Sequence, residues 1–467
     1  MNELTIPLVL KKGVHLYEQI YEHIKNEIIE GKLPAGEKLP STRFLAEHLQ
    51  VSRSTVDLAY AQLVSEGYIE TKPYRGYYIC RVDGLFHMMD EIENTTISEV
   101  NQSSVDFDFS PHGIDMNYFP FSTWKKISKN IFVEDEKELF LRGHKQGDPE
   151  FRKTICRYLH SARGVNCDPD QIIIGAGNDY LLLLLSRILS DHHTLAMERV
   201  TYKKAYYTFE KAGFSIKAVN FDHYGMNIED LKKSRADVAY IMPSHQFPTG
   251  IVMPIGRRME LLNWASNKEG RYLIEDDYDS EFRYKGKPIP ALQASDCNGR
   301  VIYIGTFSKS IAPAIRVSFM VLPKGLLPRY EELCGFLACT VSRIDQRILN
   351  AFVGEGHYER YLNKMRKVYK SKHDVLLDSL ENWSGRFKIH GENAGLHLLL
   401  ESRKAENAFA LRELAYKNGI QLQIIEDYSI SQEREQETLA YILLGYGNLS
   451  EEDIKKGIER LKETWSI

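Results

Sequence analysis

The chain has 467 residues, 43% of them hydrophobic and 27% charged, and a net charge of −4. That length exceeds one ordinary domain and allows two to four, each able to bury a core, while the near-neutral charge excludes a protein that binds polyanions by bulk basicity. Six cysteines, at 80, 156, 167, 297, 334 and 339, form no CxxC pair and no zinc spacing, so reduced thiols and no metal centre are expected. Met1–Leu10 contains Asn2, Glu3 and Pro7, unlike a signal peptide, and the most apolar run, Tyr180–Leu189, is too short to span a bilayer. A cytoplasmic protein without a membrane partner is therefore expected.

In the first 80 residues, Leu16, Ile20, Ile24 and Ile28 recur at every fourth position, which predicts an amphipathic helix over 15–30. The stretch GKLPAGEKLPS breaks it. Ser41 is placed to cap a second helix, TRFLAEHL, and Ser52 a third, whose apolar face is Val56, Ala59, Tyr60 and Leu63. Gly67 ends the third helix. YIETKPYRGYYI then has two β-rich flanks around a tight tip and reads as a hairpin. Helix, helix, short connection, helix and hairpin is the layout of a winged helix-turn-helix, a mainly α fold. In that geometry the first turn of the third helix enters the major groove, so Ser52, Arg53, Ser54 and Thr55 meet base edges. Arg43 reaches phosphate or base, and Arg75 and Gly76 form the tip of the wing. These 80 residues hold nine Lys/Arg against ten Asp/Glu, so any DNA contact rests on local placement of charge. The run LPSTRFLAEHLQVSRSTVDLAYAQLVSEGYIETKPYRGYYI closely resembles the DNA-binding domain of the GntR family of bacterial repressors, over about residues 14–80. The resemblance implies binding to double-stranded operator DNA.

Residues 81–106, which include EIENTTISEVNQSS, are polar with little periodicity and read as a linker. From Phe107 to residue 467, strand-like runs such as QIIIG, HTLAM, VAYIMP, YLIED and VIYIGT alternate with helical stretches, which predicts an α/β domain on a largely parallel sheet. IIIGAGNDYLLLLL runs strand, small-residue turn, helix, and puts the N–H groups of Ala176, Gly177 and Asn178 where a phosphate can be cradled. Tyr202 follows another strand. YLIEDDYDSEF sets Asp276, Asp277 and Tyr278 at a strand end, where α/β sheets bind ligands. GTFSKSIAPAIRVSFMV brings Lys309, the hydroxyls of Thr306 and Ser308, and Arg316, whose fork suits phosphate. An amine, a carboxylate, an aromatic ring and phosphate donors are what a pyridoxal phosphate site requires.

Taken together, residues 107–467 resemble aminotransferases of the aspartate aminotransferase type, fold type I of the pyridoxal phosphate enzymes. The order strand–glycine turn, tyrosine, PSHQFPTG, EDDYDSEF, SKSIAPAIR carries the resemblance. By it, Lys309 forms the Schiff base, Asp276 partners the pyridine nitrogen, Tyr278 donates to the ring hydroxyl and Tyr202 stacks on the ring. Thr306, Ser308 and Arg316 hold the phosphate. Asp277 remains an alternative to Asp276. Three positions depart from the family. Phe247 stands in the Asn-Pro-Thr-Gly turn, with His245 or Gln246 as substitutes for the missing asparagine. Arg142 stands for a phosphate-binding tyrosine from the partner subunit, and Leu443 for the arginine that binds a substrate carboxylate.

A GntR-type reader joined to an aminotransferase-like domain resembles the MocR-type subfamily of bacterial regulators. This resemblance implies a head-to-tail homodimer on operator DNA, with pyridoxal phosphate on Lys309 and an amine or amino acid as effector. One alternative is a working aminotransferase with a DNA-binding head; another is an aminotransferase-like domain that has lost its cofactor and serves pairing only.

Overall fold

A computed structural model describes residues 6–8, 15–81, 105–133, 137–284, 289–430 and 439–467. Most of the expected linker, residues 82–104, lies outside the described residues. The chain forms two compact units, Met1–Asn101 and Gln102–Ile467.

In the first unit, helix α1 is Leu16–Ile29, α2 is Thr42–Leu49 and α3 is Arg53–Ser65. Both predicted serine caps form. Ser41 Oγ accepts the Phe44 N–H at 3.2 Å, and Ser52 Oγ accepts the Thr55 N–H at 3.2 Å. Strands β1 (Ile69–Lys72) and β2 (Gly76–Ile79) pair antiparallel as the wing. Ile20, Ile24, Val56, Ala59, Tyr60 and Leu63 are fully buried and close a core of their own with Ile69 and Ile79. The Tyr60 hydroxyl, carried into that core, donates to the Pro40 carbonyl at 3.1 Å.

The second unit begins with β3 (Phe107–Asp108), α4 (Phe121–Val133) and α5 (Pro149–Arg163). A seven-stranded sheet follows. Its strands are β4 (Ile172–Gly175), β5 (Thr194–Glu198), β6 (Ser215–Val219), β9 (Val238–Ile241), β10 (Tyr272–Asp277), β11 (Val301–Thr306) and β12 (Ser318–Val321). A short ribbon of β7 (Phe221–Asp222) and β8 (Gly225–Met226) stands beside it. The order across the sheet is β4-β12-β11-β10-β9-β5-β6. Strands β6, β5, β9, β10 and β11 run parallel, whereas β12 is antiparallel to both β11 and β4. The sheet is thus largely parallel, as its buried, apolar strands predict. Helices α6 (Asn178–Ile188) and α7 (Lys203–Lys211) follow β4 and β5. A second, antiparallel sheet of Phe387–His390, His397–Ala405, Leu439–Gly445 and Gln423–Ile424 was not predicted from the sequence.

Candidate functional site

The carboxyl ends of β10 and β11, the start of α6 and the loop after β11 converge on a cavity of about 200 Å³. Lys309, Asp276, Tyr278, Tyr202, Asn178, Thr306, Ser308 and Arg316 all line it, with Phe247, Pro111 and His112. Convergence at strand ends follows from topology, because parallel strands bring their C-terminal loops to one edge.

The two acidic neighbours Asp276 and Asp277 part company here. Successive residues of a strand face opposite sides of a sheet. Asp276 faces the cavity, where its Oδ2 accepts from Asn178 Nδ2 at 3.0 Å and from the Tyr240 hydroxyl. Asp277 is held on the other side by the buried Arg163 Nε at 2.9 Å and the Tyr303 hydroxyl at 2.5 Å. Burial pushes the Asp276 carboxyl up to about 6, against its hydrogen bonds, which pull it down.

Lys309 is half-buried, and its Nζ donates to the Pro111 carbonyl at 2.7 Å. Burial brings the ammonium down to about 8, with Asp279 opposing. Tyr202 and Tyr278 are raised, both chiefly by burial, so both phenols stay protonated. His112 is also lowered by burial, to about 4, and its Nε2 lies 3.2 Å from the Tyr428 hydroxyl.

At the opposite end, Arg316 Nη2 pairs with Asp179 Oδ2 at 2.9 Å. The guanidinium lies over Gly177, whose φ is +87°, and a Cβ there would stand 2.5 Å from Nη2. Ser308 Oγ is buried without a hydrogen-bond partner, as is Asn178 Oδ1. Thr306 Oγ1 accepts from Ser308 N–H at 3.1 Å and from Ser318 Oγ at 2.8 Å. Two of the three N–H groups expected to cradle a phosphate have partners of their own. Ala176 donates to Thr340 Oγ1 at 2.9 Å and Gly177 to Gly175 O at 2.8 Å, so a phosphate at this helix start competes with those bonds. Gly177→Ala strains the positive φ and displaces Arg316. On the sequence expectation that Arg316 holds the phosphate of pyridoxal phosphate, loss of that charge-assisted contact predicts about tenfold weaker binding. Titration of the apo protein checks this, and unchanged affinity contradicts it.

The departures are also placed. Gln246 turns away from the cavity: its Nε2 donates to Glu198 Oε2 at 2.8 Å and to Val200 O at 2.9 Å, and its Oε1 accepts the Thr249 N–H at 3.0 Å. His245 instead reaches Tyr278 and Asp279. Phe247 itself lines the cavity, and Leu443 is fully buried in the same apolar cluster. Arg142 is exposed and is not among the residues lining the cavity.

In the first unit, Ser52, Arg53, Ser54 and Arg75 are exposed, and Thr55 is half-buried. Ser52 Oγ lies 2.8 Å from Ser54 Oγ and 2.7 Å from Thr55 Oγ1, so the first turn of α3 presents a linked set of hydroxyls. Arg53 pairs with Asp57 at 3.5 Å and Arg43 with Glu47 at 3.2 Å, both on exposed helix surface. At the wing tip Gly76 has φ +98°, and Tyr74, fully exposed, takes φ +64°.

Residues 16–79 match the family model of bacterial regulatory proteins of the gntR family, and residues 115–460 that of aminotransferases of class I and II. Over 97% of its own length and 97% of the relative's, the chain is 38% identical to the uncharacterized HTH-type transcriptional regulator YdeL of Bacillus subtilis strain 168. It is 28% identical to the probable rhizopine catabolism regulatory protein MocR of Rhizobium meliloti, across 97% of this chain and 94% of that one. The chain belongs to the MocR-type subfamily of GntR transcription regulators. Its second unit superposes on the kynurenine aminotransferase of Pyrococcus horikoshii with a TM-score of 0.69 and 26% identity, covering 78% of this chain and 91% of that one.

Sequence reasoning missed part of this MocR-type site. Pro111 and His112 come from an irregular segment nearly two hundred residues before Lys309 and carry no motif. Tyr240 sits within a uniformly buried strand, and nothing in VAYIMP marks its hydroxyl as a donor to Asp276. Among the described residues, no group of His, Cys, Asp or Glu is placed to hold a metal, and no helix is long and apolar enough to cross a membrane.

Proposed function

We propose that this MocR-type regulator holds pyridoxal phosphate on Lys309, and that an amine or amino-acid effector reacting there alters the grip of a homodimer on operator DNA. The observation that carries the reading is the meeting of Lys309 Nζ, the Asp276 carboxylate, the Ser308 hydroxyl and the Arg316 guanidinium on one cavity, in a chain that also carries a GntR head. The residues fit the cofactor. Ser308 Oγ is buried and unpartnered, which costs free energy unless an acceptor or donor arrives. Thr306, Ser308 and Arg316 would hold the phosphate, Tyr202 the ring face, Tyr278 the ring hydroxyl and Asp276 the ring nitrogen.

Bound there, pyridoxal phosphate supplies an aldehyde that exchanges amines and a ring that withdraws electrons. The rest is the chain's own doing. Asp276, with its carboxyl near 6, is mostly ionised at neutral pH and favours a proton on whatever nitrogen faces it. Lys309 must lose its proton to attack an aldehyde. With the amine brought to about 8, roughly a tenth is free at pH 7, against well under a thousandth at the usual lysine value. The uptake rate of pyridoxal phosphate by the apo protein is therefore expected to rise with pH and level off just above 8. Stopped-flow absorbance checks this, and a rate still climbing tenfold per unit near pH 10 contradicts it.

When an effector amine replaces Lys309, the freed ammonium has the Pro111 carbonyl to return to. Pro111 lies close in sequence to Gln102, where the second unit begins, and to residue 106, where the expected linker ends. An effector moves the head only through its differential affinity for two states of the protein. Pairing of two chains is supported by the exposed Phe121, Phe140, Leu141 and Phe336 of the second unit, with Arg142 beside Leu141 free of its own cavity.

Turnover as an aminotransferase is the weaker reading. Leu443, fully buried with Phe247 and Leu399, provides no cation where the resembled enzymes bind a substrate carboxylate. Footprinting of the full chain, with and without pyridoxal phosphate and a panel of amines, tests the proposal. An amine that changes protection only in the presence of the cofactor supports it. Protection indifferent to both, across the panel, counts against it.

A further inference from the structure

Beside Lys309 lie two buried residues, His245 and Asp279, to which the cofactor reading, on which this inference rests, gives no task. His245 and Asp279 are each 2% exposed, and Nδ1 stands 2.9 Å from Asp279 Oδ2. The same Nδ1 is 2.9 Å from the Tyr278 hydroxyl. One carboxylate, one imidazole and one phenol therefore share a single meeting point, which the phenol joins from the cavity wall. The imidazole has little room to leave it. A Cβ on Gly395 would stand 2.0 Å from His245 Cε1, and one on Gly250 would stand 3.4 Å from Nε2. Both glycines have positive φ. His245 Nε2 has no hydrogen-bond partner, so the ring is committed through Nδ1 alone.

The surrounding charges are few. His397 packs at 5.3 Å between ring centroids and has its Nε2 3.0 Å from the Pro248 carbonyl. Burial, then the adjacent His245, brings it to about 3, so it stays neutral. Asp276 faces the cavity and Asp277 is neutralised by Arg163 on the other side of the sheet. Asp279 is the carboxylate that opposes the burial of the Lys309 ammonium, and after burial it is also the strongest influence on Tyr278. A carboxylate favours positive charge on a nearby nitrogen, and a proton donor lying on that carboxylate weakens its pull.

We propose that Asp279, moderated by the proton of His245, sets the pH at which the nitrogen joining Lys309 to the cofactor gains its charge, with Tyr278 held in the same couple. His245 and Asp279 are positioning residues in this account, because they act through Lys309 and Tyr278. The gain is control: the charge on that nitrogen governs how readily an incoming amine is accepted.

The test is the absorbance of the full chain, reconstituted with pyridoxal phosphate, titrated through neutral and alkaline pH. Asp279→Asn removes the attracting charge and is expected to lower the midpoint of the titration by about one unit. His245→Leu removes the donor, bares that charge and is expected to raise the midpoint. The double variant is expected to match Asp279→Asn, because His245 acts through Asp279. A merely loosened site would shift both variants in one direction or broaden the band. His245→Ala replaces His245→Leu should the latter not fold. A wild-type band with unmoved midpoints in the variants overturns the couple alone. A wild type that takes up no cofactor overturns the cofactor reading and the couple together.

Discussion

Lys309→Ala is expected to leave a protein that binds its operator and no longer answers its effector. The variant should show no visible cofactor band, and operator affinity should not change with any amine that affects the wild type. Lys309 Nζ is the amine of the cavity and donates to the Pro111 carbonyl. Truncation removes that hydrogen bond at a cost of about 1 kcal/mol, too little to unfold a domain with an extensive core. The core of the head, around Ile24, Val56 and Tyr60, shares no residue with that of the second unit. Gel-shift titration at fixed salt, with and without effector, checks both halves. A variant that still responds to effector contradicts the assignment of Lys309.

Arg53→Ala is expected to weaken binding to a duplex selected by the wild type from randomised DNA by about tenfold to a hundredfold, while leaving cofactor absorbance intact. Arg53 opens α3 beside the hydroxyls of Ser52, Ser54 and Thr55, at the end of the helix that a helix-turn-helix presents to base edges. Its ion pair with Asp57, at 3.5 Å on exposed surface, is worth at most about 1 kcal/mol, so a base can displace it. Asp57→Ala should consequently tighten binding and relax discrimination among sequences. Equal affinity of wild type and Arg53→Ala across a salt series would remove Arg53 from the interface.

The head was legible because its signals are local. Helix period, serine caps and the glycine after α3 all lie within a few residues of the features they determine. Two backbone features escaped notice, since Gln50 ends α2 in the left-handed region and Tyr74 takes positive φ at the wing tip, where glycine would be the expected residue. In the second unit the parallel strands showed as apolar runs, but β12 did not reveal its reversed direction. Ser318–Val321 is buried throughout, and burial carries no sign of orientation. The choice between Asp276 and Asp277 had the same root. Both are acidic and both are buried, and only the alternation of the sheet against Arg163 on one side and Asn178 on the other separates them. The small antiparallel sheet rests on pairings distant in sequence, such as His397 with Gly445, which no local pattern encodes.

The central claim is a cofactor carried on one lysine. Its most direct measurement is the absorbance spectrum of the purified full chain with pyridoxal phosphate, followed by borohydride reduction and mass spectrometry of the peptide containing GTFSKSIAPAIR. A visible band that reduction abolishes, with the cofactor's mass on Lys309, is the predicted result. A colourless protein that remains colourless with excess pyridoxal phosphate, and a peptide of unmodified mass, would contradict it.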